Sequence, residues 1–441
     1  MQHKRYLATA FLLLFAACTK FEDAEITGRQ TFVHFYSSAT NYIASVAEVD
    51  TDGGFVLSGE VRYDNGETDA LIIKTDGRGR KVWEKVIEKG LINSVRPTGN
   101  GYILAGDSIQ FNSNSGQVHE LVNSYAKLIL MDLSGNIVQQ HISTDSIFRI
   151  IDGKRVTLTI DYHGEALTID PVSQNVIMLG SYQVPDENQS SFLSAFDPAN
   201  ISDSLWFRSY KSLEHDLVNC HSLQVTPFSK LVWAASTYTQ NQDVVREYLS
   251  LYEISPNSNA APERYDAFGE EDDRNHSVKD IQKSSVGYCA IGTYSETNGL
   301  NANMYFIRMD AAMGIIRDSQ VYIDGEELMT TDNVFTEDFK TTSVSYDEGL
   351  AITATSDGYV LAGAMTSTPT VGNGGKDILL VKLDPVGKLI WKKLLGGTGD
   401  EVIASIRETP DKGLLLFGTN TINGLSTLML IKTDALGEIK E

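Results

Sequence analysis

The chain repeats itself, and the repeat limits what it can fold into. Glu401–Gly418 (EVIASIRETPDKGLLLFG) restates the pattern of Asp347–Gly363 (DEGLAITATSDGYVLAG). The second half of the unit recurs as DALIIKTD at 69–76, DILLVKLD at 377–384 and TLMLIKTD at 427–434. Aligned on the small residue expected to end the second strand-like run, the units carry Gly59, Gly106, Gly180, Ala235, Gly292, Gly363 and Gly418, seven anchors spaced 47 to 74 residues apart. Length alone would favour two or three domains. Internal self-similarity at this period overrides that prior, because one such unit cannot bury its apolar faces without its neighbours.

Each unit reads as four short runs rich in Val, Ile, Leu and Tyr, bounded by Gly, Asp, Asn and Pro, which is the signature of strands and hairpins. No stretch after residue 18 sustains a helical period. The expected fold is therefore all-β: a single seven-bladed β-propeller of four-stranded antiparallel blades over residues 30–441. The last unit lacks a full fourth run, with only Gly437–Glu441 in its place. Thr31–Val46 mirrors Leu389–Ile406, so residues of about 30–37 are expected to complete the last blade. Closure of that kind removes a lone sheet edge and its aggregation hazard.

The recurrent polar residues have local explanations. Asp76, Asp132, Asp197, Asp310, Asp384 and Asp434 end the third run, where a short carboxylate caps the following turn through backbone N–H groups. Asp50-Thr51-Asp52-Gly53-Gly54 echoes a calcium loop but lacks the later bidentate glutamate. It aligns with Asp357-Gly358 and reads as the turn of the repeat. Trp83, Trp206 and Trp391 fall on fourth runs and are expected to pack between blades. Cys220 and Cys289 lie in apolar runs and are expected to be two buried thiols.

The DGY-LAG strand of 357–363, the LVKLD-G-W hairpin of 380–391 and the LGGTGDE loop of 395–401 resemble repeats of bacterial secreted β-propellers, a group related to quinoprotein-like and Kelch-like propellers. The resemblance implies a fold and no reaction, since the cofactor-binding residues of quinoprotein dehydrogenases are not found here. The N-terminus carries a second resemblance. Lys4-Arg5 and the apolar run Tyr6–Ala17 form a signal-peptide pattern too short to span a bilayer, which needs about 20 residues. Phe15-Ala16-Ala17-Cys18 resembles the bacterial lipobox, with Phe where Leu is usual. Thr19–Asp23 looks like the export signal of Bacteroidota surface lipoproteins. These imply a signal peptide over 1–17, lipid (palmitate among the acyl chains) on Cys18, a tether over 18–29, and an outer-membrane location facing the cell surface.

With 58 acidic against 36 basic residues the chain has a net charge of −22, or −24 once Lys4 and Arg5 leave with residues 1–17. Such a surface repels phosphate backbones, so nucleic acid is not an expected partner. No GxSxG elbow, HExxH helix motif or phosphate-cradling Gly-Lys-Ser/Thr is present. Counting back from the anchors places Tyr42, Gly90, His163, Val218, His276, Asp347 and Glu401 at the entry to the innermost strands. Among them His163, His276, Asp347 and Glu401 form a candidate channel-mouth ligand site, able in principle to hold a divalent cation such as calcium. No cofactor or resident metal is expected. Tyr63, Phe111, Tyr182, Tyr238 and Tyr294 follow the anchors; exposed rings among polar residues suit a glycan or peptide. The functional expectation is a non-enzymatic surface lipoprotein, binding a ligand or serving as an accessory or scaffold subunit of an envelope complex such as nutrient-uptake machinery with an outer-membrane transporter. The alternative is a propeller enzyme acting on polysaccharide as a hydrolase or lyase, which needs two suitably spaced carboxylates.

Overall fold

In a computed structural model, residues 31–440 are described except for 38–39, 113–120, 152–153, 211–215, 227–229, 242–243, 257–262, 269–273, 297–301, 369–370 and much of 313–346. The signal peptide, Cys18, the 18–29 tether and most of the acidic insertion 324–338 lie outside the described residues.

Seven four-stranded antiparallel sheets form the seven blades of a β-propeller. The innermost strands are Asn41–Val49, Gly90–Thr98, Asp161–Ile169, Asp216–Val225, Arg274–Lys283, Asp347–Thr355 and Asp400–Glu408, for blades 1 to 7 in order. Each contacts the next, and that of blade 7 contacts that of blade 1, so the ring is closed. The seam is where the sequence placed it. Phe32–Tyr36 is the outer strand of blade 7 and pairs antiparallel with Leu425–Lys432, from Phe32 opposite Lys432 to Tyr36 opposite Leu428. A hairpin of Ser146–Ile151 and Lys154–Thr159 is inserted between blades 2 and 3.

The apolar core is divided among the blade interfaces. Seven buried clusters are found among the described residues, each shared by two consecutive blades. The cluster across the seam joins Phe32, Leu415, Phe417, Leu428 and Leu430 to Leu57, Val61 and Leu71. Middle strands are covered on both faces, so they read as continuous apolar runs such as Ile378–Val381; outer strands such as Lys81–Ile87 alternate.

The recurrent polar residues hold turns and blade contacts. Asp76, Asp132, Asp310, Asp384 and Asp434 each accept backbone N–H groups two and four residues on, and Asp197 accepts one from Ala199. Buried Lys74, Lys382 and Lys432 pair with Asp52, Asp357 and Asp411 of the turn between the first two strands of their own blades. Each buried ammonium is thus neutralised within its blade, as a charge out of water requires. Trp83 donates its indole N–H to Leu133 O (3.1 Å) and lies over Gly135 of the next blade, whose φ is +79°. Trp391 lies in the same way over Gly437, and Phe32 with His34 over Gly79. Trp206 packs against the cluster shared by blades 3 and 4. Cys220 and Cys289 are buried free thiols.

One irregularity bears directly on function. Every innermost strand contains a β-bulge against its neighbour, between Ala44 and Val46, Ile92 and Ser94, Gly164 and Ala166, Cys220 and Leu223, Val278 and Asp280, Gly349 and Ala351, and Ile403 and Ser405. A bulge leaves an extra residue outside the ladder and re-aims its side chain. In four cases the residue after the preceding blade's anchor holds the bulge from outside. Asp107 accepts Gly164 N (2.7 Å), Ser236 accepts Val278 N (3.3 Å), Thr293 accepts Gly349 N (3.1 Å) and Thr419 accepts Ala44 N (2.9 Å). The local sequence therefore both disrupts the ladder and satisfies the group set free, as burial demands.

Candidate functional site

The bulged residues converge. Ser45, Asn93, Glu165, His221, Lys279, Leu350 and Ala404, one from each blade, line a single cavity of about 310 Å³ on the axis of the ring. Seven near-identical backbones thus present seven side chains that scarcely repeat. The cavity also takes in Arg96, Asp280, Gln282 and Arg407 from the same strands.

Its electrostatics divide into two sides. Glu48 of blade 1 receives Arg96 of blade 2 (2.8 Å) and Arg407 of blade 7 (2.7 and 3.1 Å). Burial alone would raise the Glu48 carboxyl, but the two guanidiniums outweigh it and hold it below the usual range. Arg407 is held more firmly charged than usual: burial opposes, while Glu48 and then Asp280 prevail. Asp280 is raised by burial against the field of Arg407, and accepts hydrogen bonds from Gln282 (3.0 Å) and Ile352 N (3.3 Å).

On the other side, burial pushes the Glu165 carboxyl up to about 7, with the Asp107 charge adding to it and His163 and the Ser181 hydroxyl (3.1 Å) opposing. His221 is pulled down to about 3 by burial and then by Lys279, so its imidazole is neutral at physiological pH. The site therefore offers a neutral imidazole, a carboxyl that titrates near neutrality, and hydroxyl and amide groups, facing a cationic pair bridged by one carboxylate.

None of the four expected mouth residues lines this cavity. His163 lies on the innermost strand of blade 3 with Nδ1 3.1 Å from Asp107 Oδ2. That hydrogen bond raises its pKa despite burial. His276 is buried, stacked on Tyr294 (centroids 6.1 Å apart) and edge-on to Tyr305. Asp347 is buried, its N–H donating to Ala302 O. Glu401 is buried and accepts Gly397 N (3.0 Å); burial pushes it up to about 6, with Gly397 opposing and Asp377 and Asp400 adding. For His276, Asp347 and Glu401 the counted position is three residues before the bulge residue, an odd step that turns a side chain to the opposite face; His163, two residues before Glu165, is instead held by Asp107. Polar residues in the midst of these strands, such as Asn93, Glu165 and Lys279, were the signal that could have found the cavity.

The anchors lie within the second strands instead of ending them. Consequently Tyr182, Tyr238 and Tyr294 are strand residues. Tyr182 is buried and stacked on Tyr162 at 5.7 Å, and Tyr63 donates its hydroxyl to Asp69 (2.9 Å). Tyr238 is half-buried; burial first and then Glu247 raise its pKa. Phe111 ends the second strand of blade 2 and is half-buried. Among the described residues, no group of three or more His, Cys, Asp or Glu is placed to hold a metal ion.

Fold and site together define a seven-bladed β-propeller with a polar axial cavity. No family model matches the sequence, and no curated protein matches it. Among solved structures the chain is similar to Trypanosoma rangeli sialidase in complex with the inhibitor DANA, at 9% identity and a TM-score of 0.41 over 89% of this chain and 55% of that one. It is also similar to a mutant of the Synechocystis apocarotenoid oxygenase, at 12% identity and a TM-score of 0.41 over 77% and 70% of the two chains. The chain thus spans little more than half the length of the sialidase, and at these identities the likenesses concern the fold alone.

Proposed function

We propose that this protein is a non-enzymatic, lipid-anchored binding protein of the bacterial outer-membrane surface that receives a small polar ligand in its axial cavity. The observation that carries the binding reading is the set of bulges: one per blade, each aiming a chemically different side chain into one axial cavity. A cavity filled only for packing would be lined by apolar residues, and Leu350 and Ala404 are the apolar exceptions among the seven. The membrane reading is supported by the lipobox-like Phe15–Cys18 and the acidic segment behind it. Several acyl chains on one cysteine give stable anchoring, each buried CH₂ contributing about 0.8 kcal/mol. Docking on a transporter or another envelope complex fits a tethered ring whose interior binds cargo.

Labelling cells with a palmitate analogue tests the anchor. The wild type should incorporate label and sediment with outer membranes, and Cys18→Ser should lose both properties. Thermal-shift screening of the purified chain against sugars, sugar acids and amino acids tests the cavity. One observation favours the rival reading, an enzyme of polysaccharide cleavage: the Glu165 carboxyl, pushed up to about 7, has the ionisation of a general acid. Turnover of a glycan that disappears in Glu165→Gln would establish that rival.

A further inference from the structure

We propose that the axial cavity is a site for a small hydroxylated organic carboxylate, its anionic group taken by Arg96, which Glu48 and Arg407 orient, and its hydroxyls by the polar bulge residues Ser45 and Asn93. The inference rests on the binding reading above and adds the ligand's chemical class.

Charge is the first argument. Arg96, Arg407 and Lys279 bring three cations to the cavity, and Lys279 is exposed to it with no ion pair among the described residues. Against them stand Glu48, which both guanidiniums share, and Asp280. His221 is neutral and Glu165 titrates near neutrality. Glu247 faces Lys279 as well, its carboxyl raised by burial and lowered by that ammonium. Three cationic side chains thus gather at this cavity inside a chain whose net charge is −22, and an anionic ligand group suits them.

Donor geometry is the second. A guanidinium carries five N–H donors in a planar fork suited to carboxylates. Arg96 places Nη1 on Glu48 (2.8 Å) and on Val95 O (3.0 Å), and its Nε and Nη2 make no hydrogen bond among the described residues. Arg407 is fixed by its bidentate hold on Glu48 and by Ile406 O (2.8 Å). Its role is to set the charge and the orientation of the pair. Arg96, with a side chain 30% exposed, is the group that reaches a ligand.

Size is the third. A volume of about 310 Å³ is at the small end of the range for small-molecule pockets, about 300–1,000 Å³. It admits a monosaccharide-sized molecule.

Calorimetric titration of the full chain with glucuronate, galacturonate and gluconate, against glucose and glucuronamide, decides the matter. The acids should bind at least tenfold more tightly than the neutral compounds. Arg96→Gln should cost the acids tenfold or more, Arg96→Lys should restore part of the loss, and Lys279→Gln, at an exposed position that does not test folding, should weaken the acids several-fold. Neutral compounds binding as well as the acids would overturn the anion assignment and leave the small-ligand reading intact. Binding by neither group overturns both. Equal acid affinity in wild type and a correctly folded Lys279→Gln or Arg96→Gln also refutes the proposal.

Discussion

Glu165 and His163 couple the fold to protons. Glu165, raised from an ordinary 4.5 to about 7 by burial and by Asp107, binds its proton more readily folded than unfolded. His163 is raised as well, through its bond to Asp107 against burial. For both groups the stabilisation is complete at acidic pH and is lost as pH rises through the folded-state value. Asp107, across the blade interface, faces both groups, and Asp161 on the same strand faces His163; the Cys220 thiol also faces Glu165 and is pushed up in turn by burial and by Glu165. Carboxylates held low, such as Glu48, lose their contribution only at more acidic pH. The melting temperature should therefore fall between pH 5.5 and 8.5, by roughly 2 °C or more. Glu165→Gln should flatten that slope in calorimetric scans; an unchanged slope in the variant means that Glu165 does not carry the linkage.

At the level of strands and turns, Gly79, Gly135 and Gly437 of three Asp-x-x-Gly turns are each matched to an aromatic ring from the preceding blade, whereas Gly387 meets the Arg308 side chain. Gly135 has φ +79°, and a Cβ there would meet the Trp83 ring at 2.9 Å. Gly135→Ala should destabilise the protein by about 1–3 kcal/mol in denaturant unfolding, because it combines left-handed strain with a clash. Adding Trp83→Ala should relieve the clash and leave the strain, so the two effects should not add. These elements were legible in the sequence. The Asp turns and the tryptophans recur at fixed offsets, and each has a local physical reason to recur. The bulges were not legible: one extra residue in a strand changes neither composition nor apolar periodicity enough to be seen. Counting from the anchors therefore landed on His276, Asp347 and Glu401, which are buried outside the cavity, and passed over Asn93, Glu165 and Lys279, which line it.

For the whole ring, stability depends on a seam five residue pairs long. Phe32 contributes to the cluster shared by blades 7 and 1, and Thr31 exchanges hydrogen bonds with Lys440 (3.1 and 3.2 Å). Deleting residues 32–36 should expose Leu425–Lys432 as an unpaired edge. Such edges recruit other chains. The deletion variant should form concentration-dependent oligomers in light scattering and melt over a broader range than wild type. A monomeric variant with the wild-type transition would contradict the role given to the seam. The sequence foretold this closure because the final repeat visibly lacked a strand that the opening residues could supply.

The seam also decides how such a ring would hang. Phe32–Tyr36 is the outermost strand of its blade, so under the proposed anchoring a leash from Cys18 would meet the body at its rim and far from its hub. The fourteen steps from Cys18 to Phe32 reach at most about 50 Å when fully extended. A ring suspended by its edge would swing like a gate beside the bilayer, with its axial cavity clear of lipid.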